Sequence, residues 1–477
     1  MSLNMEKVIT PTTFVIFGAT GDLALKKLFP ALFDLFHKDK LPREFHIFAM
    51  ARRPFTNESF RDLVREADIG GRTTSSDFMA FLGRITYVQG YFDDPASYTG
   101  LLKALASHDS LVGGCSNKLF HLAVHPEFYT TILKNLSSSG LTIPCGGKDG
   151  WTRVLVEKPF GRDAKTAQEL DELLGSLFKE AQIFRIDHYL AKEALQNILA
   201  FRFSNSIFEP IWNNKYVESV RISFFEKHLV ESRGDFYDTV GALRDVGQNH
   251  ILQMLGLIAM EEPYELTVEA IRKARAEVLK LLQPTRTKDL KDNFIRAQYQ
   301  GFRDEAGIGK DSETETYFFA VAHLKGKRWR GVPFYLESGK GLNNSRVSIS
   351  VRFKKGKILH GHNEANVITF SISPKESIDL KFFAKKPGFS MNVEPRLLSF
   401  DYGTAPELLD AYERVLFDAV RGDQTLFAST NEIKHSWKFI TPILKAWSTL
   451  PLIQYEKGAD PASLHPDELN RKIPTKK

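Results

Sequence analysis

The chain has 477 residues, of which 43% are hydrophobic and 26% are charged. This balance is typical of a globular protein with two or three domains. Its net charge is only +6 and its basic residues are scattered, which disfavours nucleic acid as a partner and suits anionic metabolites. Cys115 and Cys145 are the only cysteines. They offer neither a disulfide framework nor a metal-binding motif, so we expect a cytoplasmic protein without a metal.

No apolar run approaches the length of a membrane span, and no signal peptide is evident. In the first part of the chain, short apolar runs at residues 14–17, 46–50, 119–124 and 154–156 predict strands buried on both faces. Apolar residues at helical spacing separate the first two runs, and Pro30 within them predicts a kink or a later helix start. This alternation predicts right-handed crossovers and a parallel sheet.

The pattern changes after about residue 187. Runs at residues 217–225, 317–324, 347–353 and 367–372 predict strands without regular intervening helices, which favours a largely antiparallel α+β arrangement. We therefore predict an α/β Rossmann-type dinucleotide-binding domain over residues 1–187. A C-terminal α+β domain built on a large, mainly antiparallel sheet is predicted over residues 188–477, with a shared cleft near residue 187.

A dinucleotide fingerprint is predicted between the first strand and the first helix, at Gly18-Ala19-Thr20-Gly21-Asp22-Leu23. Small residues there let the backbone approach a pyrophosphate at the helix N-terminus. Arg52 and Arg53 follow the second strand, where a protein that binds NAD would usually carry an acidic residue. Guanidinium groups at this position favour the 2′-phosphate of NADP, although an exposed basic turn is the alternative.

The segment Arg185-Ile186-Asp187-His188-Tyr189-Leu190-Ala191-Lys192-Glu193 joins the end of a predicted strand over residues 181–186 to a predicted helix from Lys192 onward. Ligands bind at the carboxyl ends of such strands. If a helix begins near His188, then Lys192 lies one turn on, and His188, Tyr189 and Lys192 can face one phosphate. Asp187 is then available for another task. The alternative is a solvated helix start with an acidic cap.

His250 lies in a predicted helix over residues 238–260, on an apolar face. A histidine there is ordinarily a core residue, but an imidazole near neutrality can also remove a hydroxyl proton as hydride leaves carbon. Such a base needs a carboxylate partner. Asp245 precedes His250 by five residues, which is about 140° of rotation on an α-helix and a poor geometry for pairing.

Six separated motifs, in order along the chain, resemble the glucose-6-phosphate 1-dehydrogenase family. They are Gly18-Ala19-Thr20-Gly21-Asp22-Leu23-Ala24, Glu157-Lys158-Pro159-Phe160-Gly161, the segment that contains Asp187-His188-Tyr189, Arg244-Asp245-Val246 with Gln248-Asn249-His250, Gly331-Val332-Pro333-Phe334, and Lys385-Lys386-Pro387-Gly388. The resemblance implies oxidation of β-D-glucose 6-phosphate to 6-phosphoglucono-1,5-lactone with hydride transfer to NADP⁺, the first step of the oxidative pentose phosphate pathway. Because the second predicted domain is rich in strands, we expect a homodimer or homotetramer.

The resemblance assigns the base to His250 and its supporting carboxylate to Asp187. It implies contacts with substrate for Lys158, His188, Tyr189, Lys192, Glu226, Asp245 and Lys340. It implies contacts with NADP for Gly18, Ala19, Thr20, Gly21, Asp22, Leu23, Arg52, Ala123, Glu157 and Lys158. It further implies that the peptide bond between Lys158 and Pro159 is cis.

Three positions depart from the family pattern. Ala191 replaces a glycine, Ser345 stands where a basic residue is usual, and Glu337 stands where a basic residue is common. We expect these changes to affect sugar-phosphate affinity more than the chemistry. Two alternatives stay open: a related hexose-6-phosphate dehydrogenase that uses NAD or NADP, and a non-catalytic NADP-sensing protein on the same fold.

Overall fold

The computed structural model describes residues 10–67, 75–145, 150–283, 290–356, 364–401 and 409–465. The strands of these segments are β1 Thr12–Phe17, β2 Phe45–Ala51, β3 Ile85–Gln89, β4 Asn117–Leu122, β5 Thr152–Val156, β6 Ile183–Ile186, β7 Val217–Phe225, β8 Phe294–Tyr299, β9 Tyr317–Ala322, β10 Phe334–Gly339, β11 Arg346–Phe353, β12 Val367–Ser373, β13 Ser377–Lys385, β14 Val393–Asp401, β15 Phe427–Ala428 and β16 Leu452–Tyr455.

The α-helices of the same segments are α1 Phe29–His37, α2 Asn57–Ala67, α3 Ser76–Gly83, α4 Pro95–Leu111, α5 Tyr129–Ser138, α6 Ala164–Leu177, α7 Glu193–Phe203, α8 Gly234–Tyr237, α9 Leu252–Ala259, α10 Val268–Lys280, α11 Leu290–Asn293, α12 Ala411–Arg421 and α13 Thr430–Ala446. Two further segments, Ala24–Leu28 and Leu243–Ile251, are π-helices. None of the described helices is both long and apolar enough to cross a membrane.

The chain divides into two compact units. The first unit comprises Met1–Gly161, Lys165–Ala191 and Leu409–Thr430, and the second comprises Arg162–Ala164, Lys192–Leu408 and Asn431–Lys477. The apolar pattern of the sequence does not predict that residues 409–430 return to the first unit. There α12 packs against α1, and the Lys38 ammonium pairs with the Glu413 carboxylate.

The first unit is built on a sheet in the order β15-β6-β5-β4-β1-β2-β3. All neighbouring strands are parallel except β15, which runs antiparallel to β6. The predicted parallel sheet is therefore confirmed. Its central strands are buried along their whole length, because helices cover both faces of a parallel sheet. Pro30 lies within an unbroken helical stretch over residues 22–37, directly after the π-helix Ala24–Leu28. The later helix start is therefore not found, and the π-helical turn is the irregularity that precedes the proline.

The second unit is built on a sheet in the order β14-β13-β12-β11-β7-β10-β9-β8-β16. Two neighbouring pairs are parallel, β10 with β7 and β16 with β8, and the other pairs are antiparallel. The predicted mainly antiparallel sheet is confirmed. The helices α8 to α10 and the π-helix Leu243–Ile251 all lie between β7 and β8 in the chain, so helices and strands are grouped rather than alternating.

Candidate active site

The fingerprint loop follows β1 and approaches the end of β4. Gly18 has a φ of 80°, and a Cβ there would lie 2.3 Å from the Ala123 carbonyl oxygen. Only glycine fits such a backbone at that distance. Gly21 N–H donates to the Gly18 carbonyl at 2.9 Å, while Gly21 and Asp22 are exposed. The loop therefore presents backbone and small side chains to solvent at the carboxyl end of the sheet, as a nucleotide site requires.

Arg52 and Arg53 lie beside this loop. Gly18 N–H donates to the Met50 carbonyl at 2.9 Å, which ties the loop to the end of β2. The turn after β2 is held by the Tyr87 hydroxyl, which donates to the carbonyls of Ala51 and Arg53. Both arginine side chains are exposed, so they can meet an anionic group of a nucleotide bound on the loop.

Glu157 is a buried acid at the end of β5. Its Oε1 lies 3.0 Å from His121 Nε2, its carbonyl accepts from the Tyr129 hydroxyl at 2.9 Å, and its Oε2 accepts from the Tyr412 hydroxyl at 3.4 Å. These contacts fix the strand end from which Lys158 projects. The peptide bond between Lys158 and Pro159 is cis, which confirms the expectation drawn from the resemblance.

Asp187 follows β6 directly and is 2% exposed. Its Oδ1 accepts from Tyr189 N–H at 3.1 Å, and its carbonyl accepts from Leu190 N–H at 3.0 Å. This local hydrogen-bonding pattern closes a turn instead of starting a helix. The helix α7 begins only at Glu193, with Lys192 as its N-terminal cap residue. The prediction of a helix from Lys192 onward is therefore confirmed to within one residue. A helix start near His188, which would place Lys192 one turn further on, is not found there.

Tyr412 was not identified as a candidate site residue by its sequence pattern. Its ring stacks on His188, with centroids 6.0 Å apart and planes 13° apart. It reaches this position because residues 409–430 return to the first unit, more than 200 residues after His188. Its own burial, together with the Glu157 carboxylate, raises the pKa of the Tyr412 hydroxyl well above its usual range, so the group is a neutral donor.

Lys192 lies in the second unit, beside Glu376. Its ammonium is 3.9 Å from Glu376 Oε1, and Glu376 Oε2 accepts from Ala194 N–H in the first turn of α7 at 2.6 Å. The sequence did not single out Glu376, because it lies more than 180 residues away. A carboxylate thus already lies against the helix start where the sequence predicts a phosphate contact. The grouping of Lys192 with His188 and Tyr189 stays a prediction.

Asp245 and His250 lie on the π-helix Leu243–Ile251 and are 7% and 1% exposed. A π-helix joins residues five apart by its hydrogen bonds, so Asp245 and His250 are one turn apart and close to the same face. The objection to their pairing assumed an α-helix and does not apply. The His250 ring stacks on Phe224 of β7, with centroids 5.9 Å apart and planes 11° apart. The pairing of His250 with Asp187 stays a prediction.

Glu226 and Lys340 form an ion pair at the ends of two parallel strands. Glu226 follows β7 and Lys340 follows β10, and the register places Phe225 opposite Gly339. Lys340 Nζ lies 2.6 Å from Glu226 Oε2. The backbone of Lys340 is held by a bond from its N–H to the Thr316 carbonyl at 2.9 Å and by the Tyr455 hydroxyl, which donates to its carbonyl at 2.6 Å.

The two cysteines are closer than the sequence suggests. A carboxylate oxygen of Asp109 and the sulfurs of Cys115 and Cys145 lie within 4.8 Å of one another. Burial, and then a hydrogen bond with Cys115, raise the pKa of the Cys145 thiol to about 12. Lys118 Nζ lies 2.8 Å from Asp109 Oδ2. The Asp109 carboxylate is thus already paired with a cation, and the Cys145 thiol is protonated, whereas a thiol must be deprotonated to bind a metal.

Comparison with known proteins decides the family. Residues 15–197 match the family model described as glucose-6-phosphate dehydrogenase, NAD binding domain, and residues 199–472 match that of the C-terminal domain. The chain belongs to the glucose-6-phosphate dehydrogenase family. The glucose-6-phosphate 1-dehydrogenase of Borreliella burgdorferi is 38% identical over 95% of this chain and 96% of its own. That of Bacillus subtilis is 37% identical over 93% and 94%.

Solved structures of the family share the whole fold. A glucose-6-phosphate dehydrogenase in complex with its substrate glucose 6-phosphate is 32% identical and covers 97% of both chains, with a TM-score of 0.89. The glucose-6-phosphate 1-dehydrogenase from Mycobacterium avium is 30% identical, covers 95% of this chain and 96% of its own, and has a TM-score of 0.81. The predicted combination of a Rossmann-type domain and a mainly antiparallel C-terminal domain is thus confirmed.

Glu337 departs from the family pattern for a structural reason. Its side chain is fully buried, and its carboxylate accepts from Arg221 Nη2 at 2.9 Å and from the Ser223 hydroxyl. His465 Nε2 lies 3.3 Å from the same carboxylate. Burial opposes ionisation, but Arg221 and His465 outweigh it and lower the pKa of Glu337. The acid therefore pairs within the sheet and is not placed to meet a substrate.

The other two departures are also accommodated locally. The Ser345 hydroxyl accepts from Lys227 N–H at 2.9 Å, and the neighbouring Arg346 guanidinium lies 5.5 Å from the centre of the Phe225 ring. Ala191 is buried and is not among the residues with positive φ. An alanine there needs no left-handed backbone, so its methyl group causes no local strain.

Proposed function

We propose that this chain oxidises β-D-glucose 6-phosphate to 6-phosphoglucono-1,5-lactone and transfers the hydride to NADP⁺. The observation that carries the proposal is the grouping of His250, Asp245, Glu226 and Lys340 in the second unit. A buried histidine lies one π-helical turn from Asp245, and its ring stacks on β7, the strand that leads into the ion pair of Glu226 with Lys340. This arrangement combines a base with groups that bind sugar hydroxyls. The relatives that match nearly the whole chain are named glucose-6-phosphate 1-dehydrogenases.

In the proposed reaction, His250 removes the proton of the C1 hydroxyl while hydride leaves C1. Asp187 orients the imidazole and offsets the charge that the imidazole gains. Glu226, Asp245 and Lys340 bind the sugar hydroxyls. His188, Tyr189 and Lys192 hold the phosphate, which lies away from the reacting carbon, so their binding energy positions the sugar.

The first unit supplies the residues that would hold NADP⁺, which accepts the hydride when it is bound. Two observations indicate that these residues fit NADP⁺. Gly18 lies too close to Ala123 for any side chain, and the guanidinium groups of Arg52 and Arg53 beside it are exposed. The backbone of the fingerprint residues, Gly18, Ala19, Thr20, Gly21, Asp22 and Leu23, would contact the pyrophosphate, with Ala123 packed beneath. Arg52 would bind the 2′-phosphate, and Glu157 with Lys158 would line the nicotinamide end.

The proposal is tested by absorbance at 340 nm with glucose 6-phosphate and NADP⁺. In the variant His250→Asn, kcat should fall by a factor of about 10²–10⁴, which is the usual contribution of a general base. Glucose 6-phosphate binding should change little, because the lost interaction is needed mainly in the transition state. His435→Asn, a partly buried histidine on α13, is the matched control and should keep full activity. Near-normal kcat in His250→Asn would remove this residue from the mechanism.

The same assay separates the alternatives. A related hexose-6-phosphate dehydrogenase would prefer another hexose 6-phosphate or accept NAD⁺ equally well, whereas a non-catalytic sensor would bind NADP⁺ without reducing it. The exposed Arg52 favours NADP⁺ over NAD⁺. The buried, positioned His250 favours catalysis over sensing, because a sensor needs no base.

We also propose a cytoplasmic homodimer that forms through β14, the last strand in the order of the second sheet among the described residues. Strand β14 ends the sheet order and is largely exposed, and Leu397, Leu398 and Phe400 on it are 62%, 60% and 53% exposed. An exposed apolar edge is covered in most proteins. Light scattering should give twice the mass of the chain, and the variant Leu398→Lys should shift the measured mass towards that of the monomer.

The proposed cytoplasmic location is supported by two similar Arabidopsis thaliana relatives, which are named cytoplasmic.

A further inference from the structure

The hydroxyl of Tyr237 is a buried polar group without a use in the fold. Tyr237 ends α8 and is 1% exposed. Within the described part of the chain, its Oη has no hydrogen-bond partner. Other buried tyrosines of the second unit differ. Tyr299 donates to Glu305 at 2.7 Å, and Tyr455 donates to the Lys340 carbonyl at 2.6 Å. A buried hydroxyl without a partner is destabilising, so it requires an explanation.

Tyr237 lies among the groups proposed to bind the sugar. Lys340 Nζ is 5.6 Å from the centre of the Tyr237 ring, and the same ammonium pairs with Glu226. Burial, then Asp245, Glu315, Tyr455 and Glu226, raise the pKa of the Tyr237 hydroxyl well above its usual range. The phenol is therefore a neutral donor near three carboxyl groups, of which Asp245 and Glu226 are proposed to bind the sugar.

The backbone on both sides of Tyr237 is held in place. A Cβ on Gly234, at the start of α8, would lie 1.9 Å from the Ala306 carbonyl oxygen, so the helix packs directly on that loop. Asp238 Oδ2 accepts from Gly309 N–H at 3.1 Å. The Tyr237 ring packs edge to face on Phe302, with centroids 6.2 Å apart. Because the ring is packed and its helix is anchored, the hydroxyl is held in a fixed direction before a ligand binds.

Sugar hydroxyls both donate and accept hydrogen bonds. Glu226 and Asp245 can satisfy the donated bonds, but the oxygen lone pairs need donors, of which Lys340 is one. We propose that Tyr237 Oη donates a hydrogen bond to a ring hydroxyl of the bound sugar phosphate and so helps to select the sugar. This inference rests on the proposed function, because it takes Glu226, Asp245 and Lys340 as sugar-binding residues.

The test is Tyr237→Phe, which removes one oxygen and leaves the ring. We expect kcat/KM for glucose 6-phosphate to fall about tenfold, mainly through KM, which corresponds to about 1.4 kcal/mol. The melting temperature should stay the same or rise, since the removed hydroxyl has no partner in the free protein. Tyr299→Phe is the matched control: it removes a hydroxyl that is bonded to Glu305, so it should lower the melting temperature.

Sugar analogues identify the bond. The wild type and Tyr237→Phe are compared on glucose 6-phosphate and on its 2-deoxy, 3-deoxy and 4-deoxy analogues. The penalty of the variant should disappear for one analogue only, because a site built to bond a hydroxyl discriminates against the sugar that lacks it. Tyr299→Phe should show the same ratio to wild type for every analogue.

Three outcomes overturn the inference: an unchanged kcat/KM in Tyr237→Phe, an equal penalty on all four sugars, or a penalty accompanied by a lower melting temperature. The failure of the proposed function is a different result, because the wild type would then reduce no NADP⁺ with any of these sugar phosphates.

Discussion

Replacing Glu337 by glutamine should destabilise the second unit strongly without affecting catalysis. The carboxylate is fully buried and faces Arg221, whose side chain is 13% exposed. Breaking a buried pair by removing one partner typically costs about 3–5 kcal/mol, because the other charge stays buried and uncompensated. Glutamine keeps an acceptor oxygen for Ser223 or Arg221, so we expect the lower end, about 3 kcal/mol. The difference in the free energy of unfolding between wild type and Glu337→Gln is measured by equilibrium unfolding in urea, and glucose 6-phosphate turnover is measured in parallel.

A matched control lies in the same sheet. Glu218 on β7 pairs with Arg352 on β11 at 2.8 Å, but its side chain is 47% exposed. Glu218→Gln should therefore change the free energy of unfolding by less than about 1 kcal/mol, as is usual for surface ion pairs. Converting Arg221 and Glu337 together to methionine should recover much of the loss, because neither charge of this ion pair is then left buried without its partner.

The pH dependence has a definite sign. The pKa of Glu337 is lower in the folded state than in the unfolded state, so its contribution to stability is present above the unfolded pKa of about 4.3. This contribution is lost as the pH falls from about 4.3 towards the folded pKa. The difference between wild type and Glu337→Gln should thus be full at pH 7 and shrink below about pH 4. A difference under about 1 kcal/mol at pH 7, or one that does not shrink in acid, would refute this reasoning.

Three further variants test the proposed site. Arg52→Ala should raise KM for NADP⁺ by about tenfold or more, as expected for losing a charge-assisted contact, and should spare NAD⁺; equal losses for both cofactors would indicate a structural role. Lys192→Ala should raise KM for glucose 6-phosphate much more than it lowers kcat, and should weaken the preference for glucose 6-phosphate over glucose. If that preference is fully kept, the phosphate is bound elsewhere. Asp187→Asn should do the reverse, lowering kcat much more than it raises KM for glucose 6-phosphate.

The sequence alone determined the class of fold and the positions of the strand ends. Buried apolar runs alternating with a helical stripe require a parallel sheet, and the fingerprint at Gly18 and the arginines at 52 and 53 follow directly from that order. These are local patterns. They can be predicted from the sequence because each strand and helix must bury its own apolar face.

The tertiary structure decided what depends on residues distant in the chain or on hydrogen-bond register. A π-helix and an α-helix can be formed by the same apolar pattern, so only the fold showed that Asp245 and His250 are one turn apart. The turn that Asp187 closes keeps residues 188–191 out of α7, which starts at Glu193 and not near His188. Glu337 meets Arg221 because β10 lies beside β7, and Tyr412 stacks on His188 because the chain returns to the first unit. Each of these contacts depends either on packing between residues more than 100 positions apart in the sequence or on the backbone hydrogen-bond register. The spacing of residues along the sequence specifies neither.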